Sequence, residues 1–181
     1  MKNQIFLSTL TIAAFFCSLA GCNNNVNTKP AENMNSVVHI LYMNKKGQDL
    51  LNDSTSSHYI HKDIKLYYIK NGKKVSEKVG NSPGDAGVIE KGQVSTKKLK
   101  PKQRYVLAVG TQLRYNSKKG TTTTLIELQK GEVDTLKTQY ESGGDYFTLT
   151  KAWYNGQLKW QGGAGESVGF IVTKSGRSPT D

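Results

Sequence analysis

Phe147-Thr148-Leu149-Thr150-Lys151-Ala152-Trp153-Tyr154-Asn155-Gly156-Gln157-Leu158-Lys159-Trp160 is the stretch that decides the fold class. Asn155-Gly156 is a strong hairpin signal, because both residues tolerate the positive φ that a two-residue turn demands. The residues before it read as a strand with Phe147, Leu149 and Trp153 on one face. The residues after it read as the returning strand. In such a hairpin Tyr154 opposes Gln157, Trp153 pairs with Leu158, and Trp160 lies across from Lys151.

The same period-two pattern extends in both directions. Residues 121–129 are rich in β-branched side chains, and Lys130-Gly131 turns them into 133–140. Residues 64–69 place Ile64, Leu66 and Tyr68 on one face and end at a second Asn-Gly turn, Asn71-Gly72. Residues 37–43 and 104–113 are apolar on both faces, as central strands are. The last strand is 168–174, in which Val168, Phe170 and Val172 alternate with Gly169, Ile171 and Thr173. No stretch carries a sustained helical stripe, and only a turn or two within 54–63 suits a helix. Seven to nine short strands predict an all-β fold, an antiparallel β-sandwich of which immunoglobulin-like topology is one form. The long connections at 80–92 and 162–167 read as loops, where binding usually sits on a β scaffold.

The amino terminus follows a different logic. A basic start at Lys2 precedes the apolar block 5–19, which is shorter than the roughly 20 residues of a membrane-spanning helix. This pattern reads as a secretory signal. Its close, Leu19-Ala20-Gly21-Cys22, resembles the lipobox of bacterial lipoproteins. The resemblance implies cleavage before Cys22 and acylation of that cysteine, with two or three acyl chains holding the protein on a membrane. Residues 1–21 are then the signal peptide, 22–36 a lipidated flexible tether, 37–174 the domain, and 175–181 a loose tail.

The chain has 181 residues, with 25 Lys+Arg against 14 Asp+Glu and a net charge of +11. Its length fits one domain, and its 36% hydrophobic content excludes a polytopic membrane protein. Two cysteines, Cys17 and Cys22, exclude a disulfide scaffold, and only Cys22 remains after cleavage. The densest charge run is Lys97-Lys98-Leu99-Lys100-Pro101-Lys102-Gln103-Arg104. Nucleic acid is the usual reading of such a balance. An exported protein rarely meets it, and three arginines offer little bidentate phosphate recognition. Lysines at turns and strand edges also discourage edge-to-edge aggregation. The sharper reading is a patch (Lys97, Lys98, Lys100, Lys102, Arg104) attracted to anionic lipid, lipopolysaccharide or acidic glycan.

Chemical constellations are few. Gly162-Gly163-Ala164-Gly165-Glu166-Ser167 has Glu166 where a phosphate loop needs lysine, and a strand pattern follows where that loop needs a helix. His58 and His61, with Asp53 and Asp63 nearby, would share a face only on a helical turn, and no third soft ligand joins them. The reading is therefore no metal and no cofactor. No Gly-x-Ser-x-Gly elbow occurs and no free thiol survives maturation, so the chain reads as a non-enzyme, with a hydrolase built from distant carboxylates as a third reading. Trp153, Tyr154 and Trp160 offer an aromatic platform for glycan if their face is outside, and core if it is inside.

Met43-Asn44-Lys45-Lys46-Gly47-Gln48-Asp49-Leu50-Leu51-Asn52 and the hairpin Tyr154-Asn155-Gly156-Gln157-Leu158-Lys159-Trp160 resemble small uncharacterised lipoproteins of Bacteroidetes. The resemblance implies a β-rich envelope domain and transfers no catalytic residue. Surface-exported lipoproteins of that phylum usually carry acidic residues after the cysteine. Cys22-Asn23-Asn24-Asn25 departs from this, which favours an outer-membrane anchor facing the periplasm over surface exposure. Asp53-Ser54-Thr55 and Asp134-Thr135-Leu136 are similar to that phylum's O-glycosylation motif, with Ser54 and Thr135 as acceptors. The expectation is an envelope lipoprotein whose β-domain binds or scaffolds, with a glycan-binding accessory protein as the alternative.

Overall fold

A computed structural model describes residues 33–80, 86–92, 104–111, 118–143 and 146–177. Among them run eleven strands: β1 (Asn33–Asn35), β2 (Val37–Met43), β3 (Lys65–Lys70), β4 (Lys73–Glu77), β5 (Gly87–Gly92), β6 (Arg104–Gly110), β7 (Lys119–Gln129), β8 (Glu132–Ser142), β9 (Tyr146–Tyr154), β10 (Gln157–Gln161) and β11 (Val168–Thr173). They form a seven-stranded sheet in the order β1-β9-β8-β7-β3-β4, with β10 also on β9, and a four-stranded sheet in the order β11-β2-β6-β5. β1 runs parallel to β9 and β11 parallel to β2, and the other strand pairs are antiparallel. The fold is an all-β sandwich. The consecutive strands β7 to β10 stay in one sheet, whereas constant-type immunoglobulin sheets hold strands ABED and CFG.

Alternation explains the core. Thr124, Ile126 and Leu128 of β7 and Leu136, Thr138 and Tyr140 of β8 face inward, against Val38, Ile40 and Tyr42 of β2 and Phe170 of β11. The doubly apolar reading of β2 and β6 has a physical basis. Both are inner strands of the smaller sheet, and Leu41, Met43 and Val106 make a second buried cluster on its other face. Asn71, Gly72, Asn155 and Gly156 take φ of 51°, 73°, 48° and 79°, as their hairpin turns require.

Two bulges overturn the expected facing of the tryptophans. Gln139 pairs with Lys151 and Tyr140 with Leu149, so Thr150 is an extra residue in β9. Beyond it the parity flips: Phe147, Leu149, Ala152 and Tyr154 are buried together, and Trp153 points to the other side. A second bulge at Lys159 sets Trp160 opposite Ala152 rather than Lys151. Trp160 therefore packs against the core while Trp153 does not.

Other differences concern the ends and loops. β1 lies inside the segment read as tether, and β5 inside the segment read as a loop, which raises the strand count above nine. The tail is docked for part of its length: Arg177 N donates to Ser57 O at 2.9 Å and Gly176 is buried. The helical expectation shrinks to one 3-10 turn at His61–Asp63. Among the described residues no helix is long and apolar enough to cross a membrane.

The sandwich has two distinct ends. At one, Val37 pairs with Gly110, and Thr111 donates through both its N and Oγ1 to Ser36 O at 2.8 Å. This is where the chain comes in from the amino-terminal segment. The other end holds Met43, Arg104, the β7–β8 turn and the close of β11. β2 spans the interval, about 20 Å at the usual rise per strand residue.

Candidate functional site

The far end is organised by the loop that follows β2. Asn44 Oδ1 accepts from Lys46 N and Gln48 N at 2.9 and 3.0 Å, closing a tight turn. Asp49 Oδ1 then accepts from Leu51 N at 2.9 Å and its Oδ2 from Tyr105 N at 2.8 Å. Leu50 and Leu51 are fully buried, and Leu50 is held by backbone bonds to Tyr42 and Tyr59. The Gly-x-Asp-Leu-Leu-Asn pattern thus has a structural meaning: the aspartate ties the loop to β6 and the leucines anchor it.

Beside this loop lies an open cleft of about 510 Å³, lined by Gly47, Gln48, Asp49, Asn52, Thr55, Lys91, Arg104 and Tyr105. Arg104 is positioned by its Nη1, which donates to Gly47 O at 3.1 Å. The Lys91 ammonium lies 5.8 Å from the centre of the Tyr105 ring. Asp49, the single acid among the described lining residues, is turned to backbone amides, so the exposed character they give the cleft is cationic and hydrogen-bonding.

A second polar assembly is buried between the sheets at the same end. Lys174, one residue past β11, places Nζ 2.6 Å from Asp134 Oδ2, 2.9 Å from Asp134 Oδ1 and 2.9 Å from Glu132 Oε1. The Tyr154 hydroxyl donates to Asp134 Oδ2 at 2.7 Å, and Asn155 Nδ2 donates to Oδ1 at 2.6 Å. Tyr42 shares a 3.0 Å hydrogen bond with Tyr154, and Tyr59 OH reaches Glu132 at 3.2 Å. Burial pulls the Lys174 ammonium down, but hydrogen bonds and charge from Asp134 and Glu132 outweigh it and the net shift is upward. Burial, reinforced by the same carboxylates, pushes the Tyr42, Tyr59 and Tyr154 phenols up. At the opposite end burial pushes Tyr68 up to about 12, and its hydroxyl binds Gly110 O.

The residues singled out in the sequence fall as follows. Arg104 lines the cleft, while Lys97, Lys98, Lys100 and Lys102 lie outside the described residues, as does Cys22 with the whole of 1–32. Trp153, Tyr154 and Trp160 do not share a surface. Tyr154 is buried with its hydroxyl bonded to Asp134, Trp160 packs on the core, and Trp153 lies on the outer face beneath the Lys137 ammonium at 5.8 Å. Ser54 is exposed in its loop, whereas Thr135 is paired with Leu125 in β8 and its N donates to Asn155 Oδ1. His58 Nδ1 bonds Thr55 O at 2.8 Å and His61 Nε2 bonds Leu51 O at 2.7 Å, so the two imidazoles serve separate carbonyls. Among the described residues no three His, Cys, Asp or Glu converge as metal ligands. The Gly162–Gly165 run leads into strand β11 rather than a helix.

Lys174 and Glu132 were not singled out in the sequence, and Asp134 entered only as the first residue of the Asp134-Thr135-Leu136 motif. A signal was present: Asp134 is in phase with Leu136 and Thr138, and Lys174 with Phe170 and Val172, so the alternation points opposite charges inward. No protein-family model, curated protein or solved structure matches the chain.

Proposed function

We propose that this chain is an envelope lipoprotein, anchored through acylated Cys22 to the outer membrane, whose β-sandwich binds an acidic glycan in the cleft around Lys91, Arg104 and Tyr105. The observation that carries the reading is the composition of that cleft. Two cations and an aromatic ring stand beside amide and hydroxyl groups, and the oxygens of its one described carboxylate are engaged by backbone donors. Acidic sugars carry carboxylates or sulfates for the cations, hydroxyls for the amides, and an apolar ring face for Tyr105. The cleft also lies at the end of the sandwich remote from Val37, so a chain tethered at its amino terminus presents it away from the anchor. This placement favours a ligand from the surrounding envelope over the headgroups at the anchor itself. It replaces the split aromatic platform as the place for a glycan.

The test is titration calorimetry with oligogalacturonate at low and high salt. Binding at low salt that weakens as salt rises, and weakens at least tenfold in Lys91→Glu, supports the reading. Absence of binding at low salt, or equal binding by Lys91→Glu, defeats it.

A further inference from the structure

The geometry points to an intramolecular amide bond between Lys174 and Asp134, which the folded protein forms on itself. An amine nucleophile and a carboxyl electrophile are in contact: Lys174 Nζ lies within 2.9 Å of both Asp134 oxygens, and the carbon between them is the next atom on its approach. Both groups are withdrawn from water, with side-chain exposures of 18% and 5%. Tyr42, Tyr59, Tyr154 and Phe170 close around them, ring against ring at 5.9 to 6.3 Å.

The flanking groups supply what amide formation needs. Glu132 Oε1, 2.9 Å from Nζ, is the general base. Asn155 Nδ2, 2.6 Å from Asp134 Oδ1, faces the oxygen on which negative charge develops. Tyr154 OH, 2.7 Å from Oδ2, polarises the oxygen that departs.

The step balances without any other reactant. The resting ion pair first moves one proton from Nζ to Oδ2, giving a neutral amine and a carboxylic acid, an uphill transfer that the exclusion of water makes less costly. The Nζ lone pair then adds to Asp134 Cγ, and the C–O π electrons collect on Oδ1. Glu132 removes the second proton from Nζ. As the C–O π bond re-forms, the bond from Cγ to Oδ2 breaks. Oδ2 leaves as water, carrying the first proton and the second from Glu132, which ends unchanged. Nothing is oxidised or reduced. The ion pair is the stable starting state, so the reaction is slow and occurs once per molecule.

The bond would also meet a need of this fold. No cysteine lies between 23 and 181. β11 is one of the two edge strands of the smaller sheet, and an amide at Lys174 ties its end to β8 in the other sheet across 40 residues of chain.

Peptide mapping of the purified full chain decides the matter. With the amide present, denatured protein digested by trypsin yields a branched peptide, 160–177 joined to 131–137 and lighter by one water, because trypsin cannot cleave at an acylated Lys174. Separate linear peptides 131–137 and 160–174 from the wild-type chain overturn the proposal. Glu132→Gln, checked for folding by circular dichroism, is expected to form the bond at least ~100-fold more slowly. Wild-type yield of the branched peptide from that variant removes Glu132 as the base. Lys174→Arg keeps the cation without a nucleophilic amine of the same reach, and any branched peptide from it sinks the assignment to Lys174.

Discussion

The hydroxyls of Tyr42 and Tyr154 meet at 3.0 Å, one tyrosine from each sheet, and Tyr154 passes the contact on to Asp134. Tyr154→Phe leaves the ring in the core but strands the Tyr42 hydroxyl and removes one of two donors to Asp134 Oδ2, which keeps Lys174. The expected cost is about 1–3 kcal/mol, the range for leaving buried polar groups unpaired. Tyr42→Phe removes only the first bond and is expected to cost less. Urea unfolding measures both, and equal costs would contradict the direction of the chain.

Alkaline pH should unfold the domain. Burial raises Tyr42, Tyr59, Tyr68 and Tyr154 above the ordinary tyrosine value of about 10, with Tyr68 near 12. Above pH ~10 the unfolded chain has released these protons while the folded chain keeps them. The folded state then binds more protons, so stability is complete below that pH and falls as pH rises through the folded values. Absorbance of phenolate followed beside circular dichroism is expected to show a set of tyrosines ionising only as structure is lost. All nine tyrosines of the chain titrating independently in a folded protein would refute this.

The two tryptophans should behave differently. Trp160 packs against the core, and Trp160→Ala is expected to cost about 2 kcal/mol, below the range for a fully buried Trp. Trp153 rests on the outer face, where loss of the ring and its Lys137 contact should cost no more than ~1 kcal/mol. Thermal unfolding of the two variants checks the order, and the reverse order would place Trp153 in the core.

Membrane association should depend on one side chain. Cys22→Ala is expected to move the protein out of the membrane fraction, because the proposed acyl chains on Cys22 are what would anchor it. A variant that stays in that fraction after a high-salt wash would show another means of attachment.

The sandwich was legible in the sequence because alternation and Asn-Gly turns are local signals. Tyr154-Asn155-Gly156-Gln157 reads as it folds, with Tyr154 opposite Gln157. The bulges at Thr150 and Lys159 are not local in that sense, since each is defined by a partner strand that accommodates an unpaired residue. Each one reverses the facing of every residue beyond it, which is why Trp153 and Trp160 part company. The cleft was visible only through Arg104 and the Gly47–Asn52 pattern, because Lys91 lies in a strand that the turn residues around it disguise. The Lys174–Asp134–Glu132 assembly joins positions 40 residues apart, and its trace in the sequence is confined to inward-phased charges.

The parallel pairing of the first strands has a mechanical side. The chain arrives through β1, laid parallel on β9, and continues into β2, which lies between β6 and the parallel β11. A pull applied at the amino terminus, against a load held at the cleft, runs along β2 rather than across it. Its hydrogen bonds to both neighbours are then strained together in shear and must break in concert. A pull across the strand would open them singly, like a zipper. The strand order therefore makes this domain a stiff link between whatever holds its amino terminus and whatever fills its far end.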